Sequence, residues 1–228
     1  MGQTLSAPKL LNAIEHESLE EIVQLLQQKK ASAKSNLKAG GNKACHIVAE
    51  SSSVRSVELL MAIIRGYRDA HPGHCDLDQR VAQLIGLRNF MERTPLMVAS
   101  MLGHTQMVAR LLQLGANVWE FDGSDGNIGR TALHLACRAG QLATVGVLLQ
   151  WVEAHPERGR PPNTHFKWVG TGVAVTHGGR QAPPACGHVM VDVKTGAGFT
   201  PSHYAVHGNH VEVLRLLLQH GAAVSPRW

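Results

Sequence analysis

Apolar residues along the chain fall into short stripes of helical period, and the stripes repeat. From Thr94 the chain reads T-P-L-M-V-A-S-M-L-G-H-T-Q-M-V-A-R-L-L-Q-L-G-A, and from Thr131 T-A-L-H-L-A-C-R-A-G-Q-L-A-T-V-G-V-L-L. From Thr200 it reads T-P-S-H-Y-A-V-H-G-N-H-V-E-V-L-R-L-L-L-Q-H-G-A. Aligned on the threonine, an alanine recurs at Ala99, Ala136 and Ala205, and a leucine pair at Leu111–Leu112, Leu148–Leu149 and Leu217–Leu218. Val108, Leu111 and Leu112, like Val145, Leu148 and Leu149, have the i, i+3, i+4 spacing of a helix with one buried face. Two fainter copies share the register. One starts at Lys43, with Cys45, His46 and Leu60–Met61 at the matching offsets; the other starts at Pro8, with Leu10, Ala13, Ile22 and Leu25–Leu26. The pattern predicts units of two helices with one apolar side, which stack because none can bury that side alone.

The residues between the stripes supply the ends of these helices. Threonine is a good N-cap, because its hydroxyl accepts a backbone N–H that the first turn leaves free. Proline at the next position has a fixed φ suited to a helix start and no N–H to waste. Gly103 and Gly140 are placed to close the first helix in a left-handed conformation, with Asn209 in that place in the last copy, and Gly115 and Gly221 end the second helix.

The T-P-L-H-x-A motif with a trailing L-L-x-x-G-A resembles the ankyrin repeat. The resemblance implies an all-α solenoid of about five helix–turn–helix units that binds other proteins. Met97 stands where His is usual, Ala132 where Pro is, and Ser202 where a buried Leu is. Looser packing is expected at Ser202. The expected boundaries are a flexible terminus at 1–7, a degenerate capping repeat at 8–42, and a degenerate repeat with an insertion at 43–93. A repeat at 94–130, a repeat at 131–199 that ends in a long insertion, and a C-terminal repeat at 200–228 follow. Unit starts at 8, 43, 94, 131 and 200 exceed a repeat of roughly 33 residues in two places. Two long inserted loops are therefore expected, at about 64–90 with H-P-G-H-C-D and about 151–198, rich in Gly, Pro and His.

The M-G-Q start, T-P-L-M-V-A-S-M-L-G-H, L-G-A-N-V-W-E-F-D, R-T-A-L-H-L-A and the long insertion before the next T-P unit narrow the resemblance. Together they look like the N-terminal part of plant-type ankyrin–RING ubiquitin ligases. In that family the array selects substrates or receptors, a RING finger recruits the conjugating enzyme, and the N-terminal glycine is myristoylated. Gly2 with Ser6 fits the lipidation pattern independently. No C-x-x-C pair is present, so ligase activity is not carried over and Gly2 alone transfers as a functional residue. A substrate-recognition role with the RING missing or on another chain is the alternative that this resemblance implies.

Composition adds little chemistry. The chain is 44% hydrophobic but only 4% aromatic, so its core is aliphatic. The net charge of +5 is too small for a nucleic-acid footprint, although Lys29, Lys30, Lys34, Lys38 and Lys43 offer an alternative anionic-lipid or nucleic-acid surface. Cys45, Cys75, Cys137 and Cys186 form no metal or redox pair, and reduced thiols in a cytoplasmic setting are expected. No apolar run approaches the ~18 residues that span a bilayer. His203 and His207 share a helix face but lack further ligands, and Asp122, Asp125 and Asn127 read as turn residues rather than a calcium loop. No catalytic residue, metal, cofactor, small-molecule substrate or nucleic acid is expected. The expected partner is a protein, with a membrane surface reached through Gly2 and a peripheral plasma-membrane location as the extension of that reading. The expected contact residues are those at the tips leading into each unit: Asn42, Glu92, Arg93, Ile128, Arg130 and Phe199. The polar first unit suits capping, whereas Val213, Leu216 and Leu217 are expected to leave an apolar edge at the last, covered by further chain or by a partner.

Overall fold

A computed structural model describes residues 7–28, 32–70, 77–123, 129–155 and 190–223. The readings placed on Gly2, on Ile128 and on most of the second insertion lie outside these residues. The described chain forms eleven α-helices: α1 (Ala7–Glu15), α2 (Leu19–Gln27), α3 (Ala44–Glu50), α4 (Ser56–Asp69), α5 (Leu77–Ile85) and α6 (Pro95–Leu102) come first. They are followed by α7 (Thr105–Gln113), α8 (Ala132–Arg138), α9 (Leu142–Ala154), α10 (Pro201–His207) and α11 (Val211–Gln219).

Ten of these pair into hairpins, and the hairpins stack in two layers. The first helices α1, α3, α6, α8 and α10 pack one on the next, as do the second helices α2, α4, α7, α9 and α11. The alanines explain the close approach: Ala99, Ala136 and Ala205 are fully buried between neighbouring first helices. Leu111, Leu112, Leu148, Leu149 and Leu217 are buried as the stripe requires, each worth roughly 1.5–3 kcal/mol of removed apolar surface. One aliphatic cluster runs from Leu10 to Ala222.

Each first helix begins as its sequence dictates. Thr94 Oγ1 accepts from Met97 N at 3.4 Å, with Pro95 as the first helical residue. Thr131 and Thr200 form reciprocal caps with His134 and His203, whereas Lys43, whose ammonium cannot accept, keeps only the return half, its N–H donating to His46 Nδ1 at 3.4 Å. Gly103 and Gly140 close their helices at φ 81° and 72°, and Asn209 does so at φ 57°.

Two expectations are corrected. The first insertion is largely helical rather than a loop: α4 continues to Asp69, and α5 occupies 77–85 and packs on α4. Val81, Leu84 and Ile85 have the spacing of a one-sided helix and are all buried, which anchors the segment. The apolar edge at the last unit also lies elsewhere. Val213 and Leu217 are buried and face back into the stack; Val206, Val211 and Leu218 are the exposed aliphatic residues. A stripe announces a buried face without saying which neighbour covers it. Ser202 Oγ, where a buried leucine was the norm, is enclosed without a hydrogen-bond partner.

Candidate functional site

Between consecutive hairpins the chain makes a short finger, and the fingers line one edge of the stack. Each is closed by residues a few positions apart. Lys38 N donates to Asn42 O, Asn89 N to Arg93 O, Asp122 N to Arg130 O at 2.9 Å, and Thr195 N to Phe199 O at 2.9 Å. The outgoing side chain completes three of the closures by accepting the returning N–H. Asn89 Oδ1 takes Arg93 N at 3.0 Å, Asp122 Oδ1 takes Arg130 N at 2.7 Å, and Thr195 Oγ1 takes Phe199 N at 3.1 Å. Asn, Asp and Thr are the residues whose short polar side chains substitute for a backbone partner in a turn.

Two histidines of the repeat each tie a finger to the preceding hairpin. His134 Nδ1 accepts from Thr131 N at 3.2 Å and lies 2.9 Å from Thr131 Oγ1. Its Nε2 is then the protonated nitrogen, and it donates to Val193 O at 3.1 Å and Phe199 O at 3.3 Å. His46 repeats the device, with Nδ1 toward Lys43 N and Nε2 donating to Arg93 O at 2.8 Å. Burial pushes both imidazoles down from 6.5 to about 4, against the carbonyls they donate to, which pull the other way. Both are therefore neutral staples across a seam.

The seam between them has Met97 in place of histidine and is held by charge. Asp122, with no exposed side-chain surface, pairs with Arg130 Nη2 at 2.9 Å and Nε at 3.1 Å, and lies 3.5 Å from Arg93 Nε. One carboxylate thus joins the returns of two successive fingers. A buried pair of this kind persists where additional hydrogen bonds hold it, as Arg130 N does here.

This geometry revises the expected contact residues. Arg93 and Arg130 are not free tips: Arg130 is buried, Arg93 keeps 13% of its side chain exposed, and both face Asp122. Asn42 is half-buried and accepts from Asn89 Nδ2 at 2.8 Å while donating to Glu50 at 3.4 Å. Glu92 is exposed, at φ 55°, with Arg88 Nη1 at 3.6 Å, and Phe199 is exposed beside Tyr204. The larger exposed apolar surface was missed. Phe90 is 71% exposed at the tip of its finger, followed by half-exposed Met91. The Phe90 ring lies over Gly41, leaving no room there for a Cβ, and its N–H donates to Gly40 O at 2.8 Å. The available signal was N-F-M-E-R-T-P: two large apolar residues in a turn, where no helical stripe can absorb them.

Other chemistry is structural or dispersed. Cys45 and Cys137 are fully buried, and burial raises both thiols, Cys45 to about 12, so neither is a nucleophile. Among the basic cluster, Lys34 sits over the Tyr67 ring, Lys38 pairs with Glu15, and Lys43 donates to Gly41 O and Arg88 O. Among the described residues no group of three His, Cys, Asp or Glu is arranged to hold a metal, and no helix is long and apolar enough to cross a membrane.

Stacked helical hairpins with a ladder of fingers along one edge define a repeat scaffold, a class whose function lies in an extended surface rather than a cleft. The chain belongs to the ankyrin-repeat family: the family model for ankyrin repeats (3 copies) matches residues 10–122 and 70–158, and that for a single ankyrin repeat matches 197–227. It is similar to the probable E3 ubiquitin-protein ligase XBOS32 of Oryza sativa subsp. japonica, 28% identical over 224 residues, which is 98% of this chain and 40% of that protein. It is also similar to the putative E3 ubiquitin-protein ligase XBAT31 of Arabidopsis thaliana, 30% identical over 138 residues, 60% of this chain and 24% of that one. A second rice protein, the probable E3 ubiquitin-protein ligase XBOS33, is 26% identical over 234 residues, 99% of this chain and 40% of its own length. The chain spans less than half the length of each of these relatives.

Proposed function

We propose that this chain is a non-catalytic protein-interaction scaffold that docks its partner along the finger edge. The observation that carries the reading is Phe90, a phenylalanine held at a finger tip by its backbone bond to Gly40, with most of its ring in solvent. Large exposed apolar side chains on a rigid turn are anchors of the kind that dominate interfaces. Met91, Glu92 and Phe199 extend the surface along the same edge, with Asn42 behind it. Arg93 and Arg130 support it from beneath.

The test is site-specific cross-linking. A photoreactive phenylalanine replaces Phe90 in one variant and Val54, exposed at the turn between α3 and α4, in another. Adducts to a discrete protein from position 90 and none from position 54 support the reading; equal labelling from both sites, or none from position 90, removes it.

The similarity to three proteins named as ubiquitin ligases favours a more specific form, in which the scaffold is a substrate-recognition arm working with a RING finger. Ubiquitin transfer to the protein captured at position 90, lost when Phe90 is changed to serine, is the outcome this form requires. Myristoylation of Gly2 and a peripheral plasma-membrane location in the cytoplasm belong to the same proposal. They rest on the M-G-x-x-x-S start, and one myristoyl chain gives only marginal binding. Intact mass of protein made in eukaryotic cells decides it.

A further inference from the structure

The last turn of each first helix places one residue at an equivalent position, seven residues past the start of its unit. Along the stack these residues are Glu15, Glu50, Met101, Arg138 and His207. Side chains at this position turn toward the fingers. Glu50 accepts from Asn42 Nδ2 at 3.4 Å, and Met101 Sδ lies 3.7 Å from Arg93 Nη1. The Tyr204 hydroxyl, bonded to Thr195 of the last finger, lies within electrostatic reach of both Arg130 and Arg138.

The row changes sign along the stack. Glu15 is compensated by Lys38 at 3.4 Å, whereas Glu50 is exposed and has no ion pair among the described residues, and α3 holds no Lys or Arg. Arg138 is exposed and likewise has no ion pair among the described residues, and α6, α8 and α10 hold no Asp or Glu. In the seam between α6 and α8, the two guanidiniums of Arg93 and Arg130 share the single carboxylate of Asp122, which leaves one positive charge in excess. Arg93 Nε is buried there without a hydrogen bond. Between Glu50 and Arg138 the helices offer half-buried Met101 and exposed Leu102.

The row also has a length. α3 packs on α6 and α6 on α8. Stacked helices lie about 8–10 Å apart, so Glu50 and Arg138 are separated by roughly 16–20 Å. An extended chain rising about 3.3 Å per residue covers that distance in about six residues. An even count returns the side chain to the same face of a strand, so both ends of such a segment point at the array.

We propose that the finger side of the first helices takes an extended protein segment in one register, with a basic side chain on Glu50, an apolar one over Met101 and an acidic one on Arg138. The inference rests on the finger-edge reading and adds the chemistry of the partner. Opposite charges at the two ends fix the register, because a segment shifted or turned end for end meets like charge.

Selection from a displayed library of random peptides, each about twelve residues long, on the full chain tests it. Enriched peptides are expected to carry Lys or Arg and Asp or Glu about six residues apart, with an apolar residue between. Selection on Arg138→Glu is expected to replace the acidic position with a basic one, and selection on Glu50→Lys to do the opposite. A peptide enriched on the parent chain should bind Arg138→Glu at least about tenfold more weakly, and reversing its own acidic residue should recover the affinity. Both variants lie at exposed positions and should keep the helical circular dichroism of the parent. Arg65→Glu, exposed on α4 in the other layer, should leave the selection unchanged. Enriched peptides without the charge pair, a charge pair indifferent to both reversals, an equal effect of Arg65→Glu, or no enrichment on the parent chain overturns the proposal. Peptides that need Phe90 but ignore both reversals overturn it and leave the finger-edge reading standing. Peptides that follow the reversals but bind Phe90→Ser as well as the parent uphold the charge order and remove Phe90 as the anchor.

Discussion

The seam after α6 and the seam after α8 do the same work with different chemistry. After α8, a neutral imidazole caps its own helix and reaches Val193 O and Phe199 O of the next finger. After α6, Met97 packs as an aliphatic side chain, and the tie passes to Asp122, which bridges Arg93 and Arg130. A repeat tolerates loss of its histidine where a charged bridge joins the neighbouring fingers. The consequence is that Arg93 and Arg130, at the finger returns, become fixed parts of the fold.

Removing the centre of the charged bridge should have the largest effect. Asp122→Ala leaves two guanidiniums facing each other in a buried site, and a loss of about 3–5 kcal/mol in urea unfolding is expected. His134→Ala follows, at about 2–4 kcal/mol, since it removes a cap, two bonds to the next finger and buried volume.

The same two seams should separate by pH. A folded pKa of about 4 against 6.5 for the free imidazole means that the unfolded chain takes up the proton first as pH falls. Stability from these histidines is complete above pH 6.5 and declines until pH 4, by on the order of 3 kcal/mol for each. Thermal unfolding across that range should show the decline, and it should be about halved in the His134→Ala variant.

His203 caps Thr200 at 2.7 Å but is only half-buried, and His203→Ala should cost about 1 kcal/mol. Smallest of all is Phe90→Ser. Its stability should lie within about 0.5 kcal/mol of the parent, because the ring is mostly in solvent, whereas its binding should be lost. A large stability loss for Phe90→Ser would make this residue part of the fold instead of the binding edge.

The stack itself was legible because period and caps are local. Leu111, Leu148, Ala99 and Gly103 announce their roles within a single turn of helix. Features that depend on what lies across a gap were not. The partnership of Asp122 with Arg130 requires the register of a finger, and with Arg93 the placement of two fingers, which no spacing along the chain encodes. That left both arginines looking like free tips. α5 was hidden because its segment carries none of the repeat's cap and leucine-pair signals, and its one-sided stripe of Val81, Leu84 and Ile85 is too short to stand out. At the last hairpin, a stripe containing Val213, Leu214, Leu217 and Leu218 shows apolar positions on two sides. Which side meets the preceding unit emerges only from stacking.

The stapled seams are tested most directly by nitrogen-detected NMR of the histidine rings during a titration from pH 7.5 to pH 4.5, with His46 and His134 assigned from glutamine variants. Both rings are expected to remain neutral with the proton on Nε2 at pH 5.5. Protonation of His46 and His134 near pH 6.5, or a proton on Nδ1 in the neutral form, would contradict staples that join each hairpin to the finger beyond it.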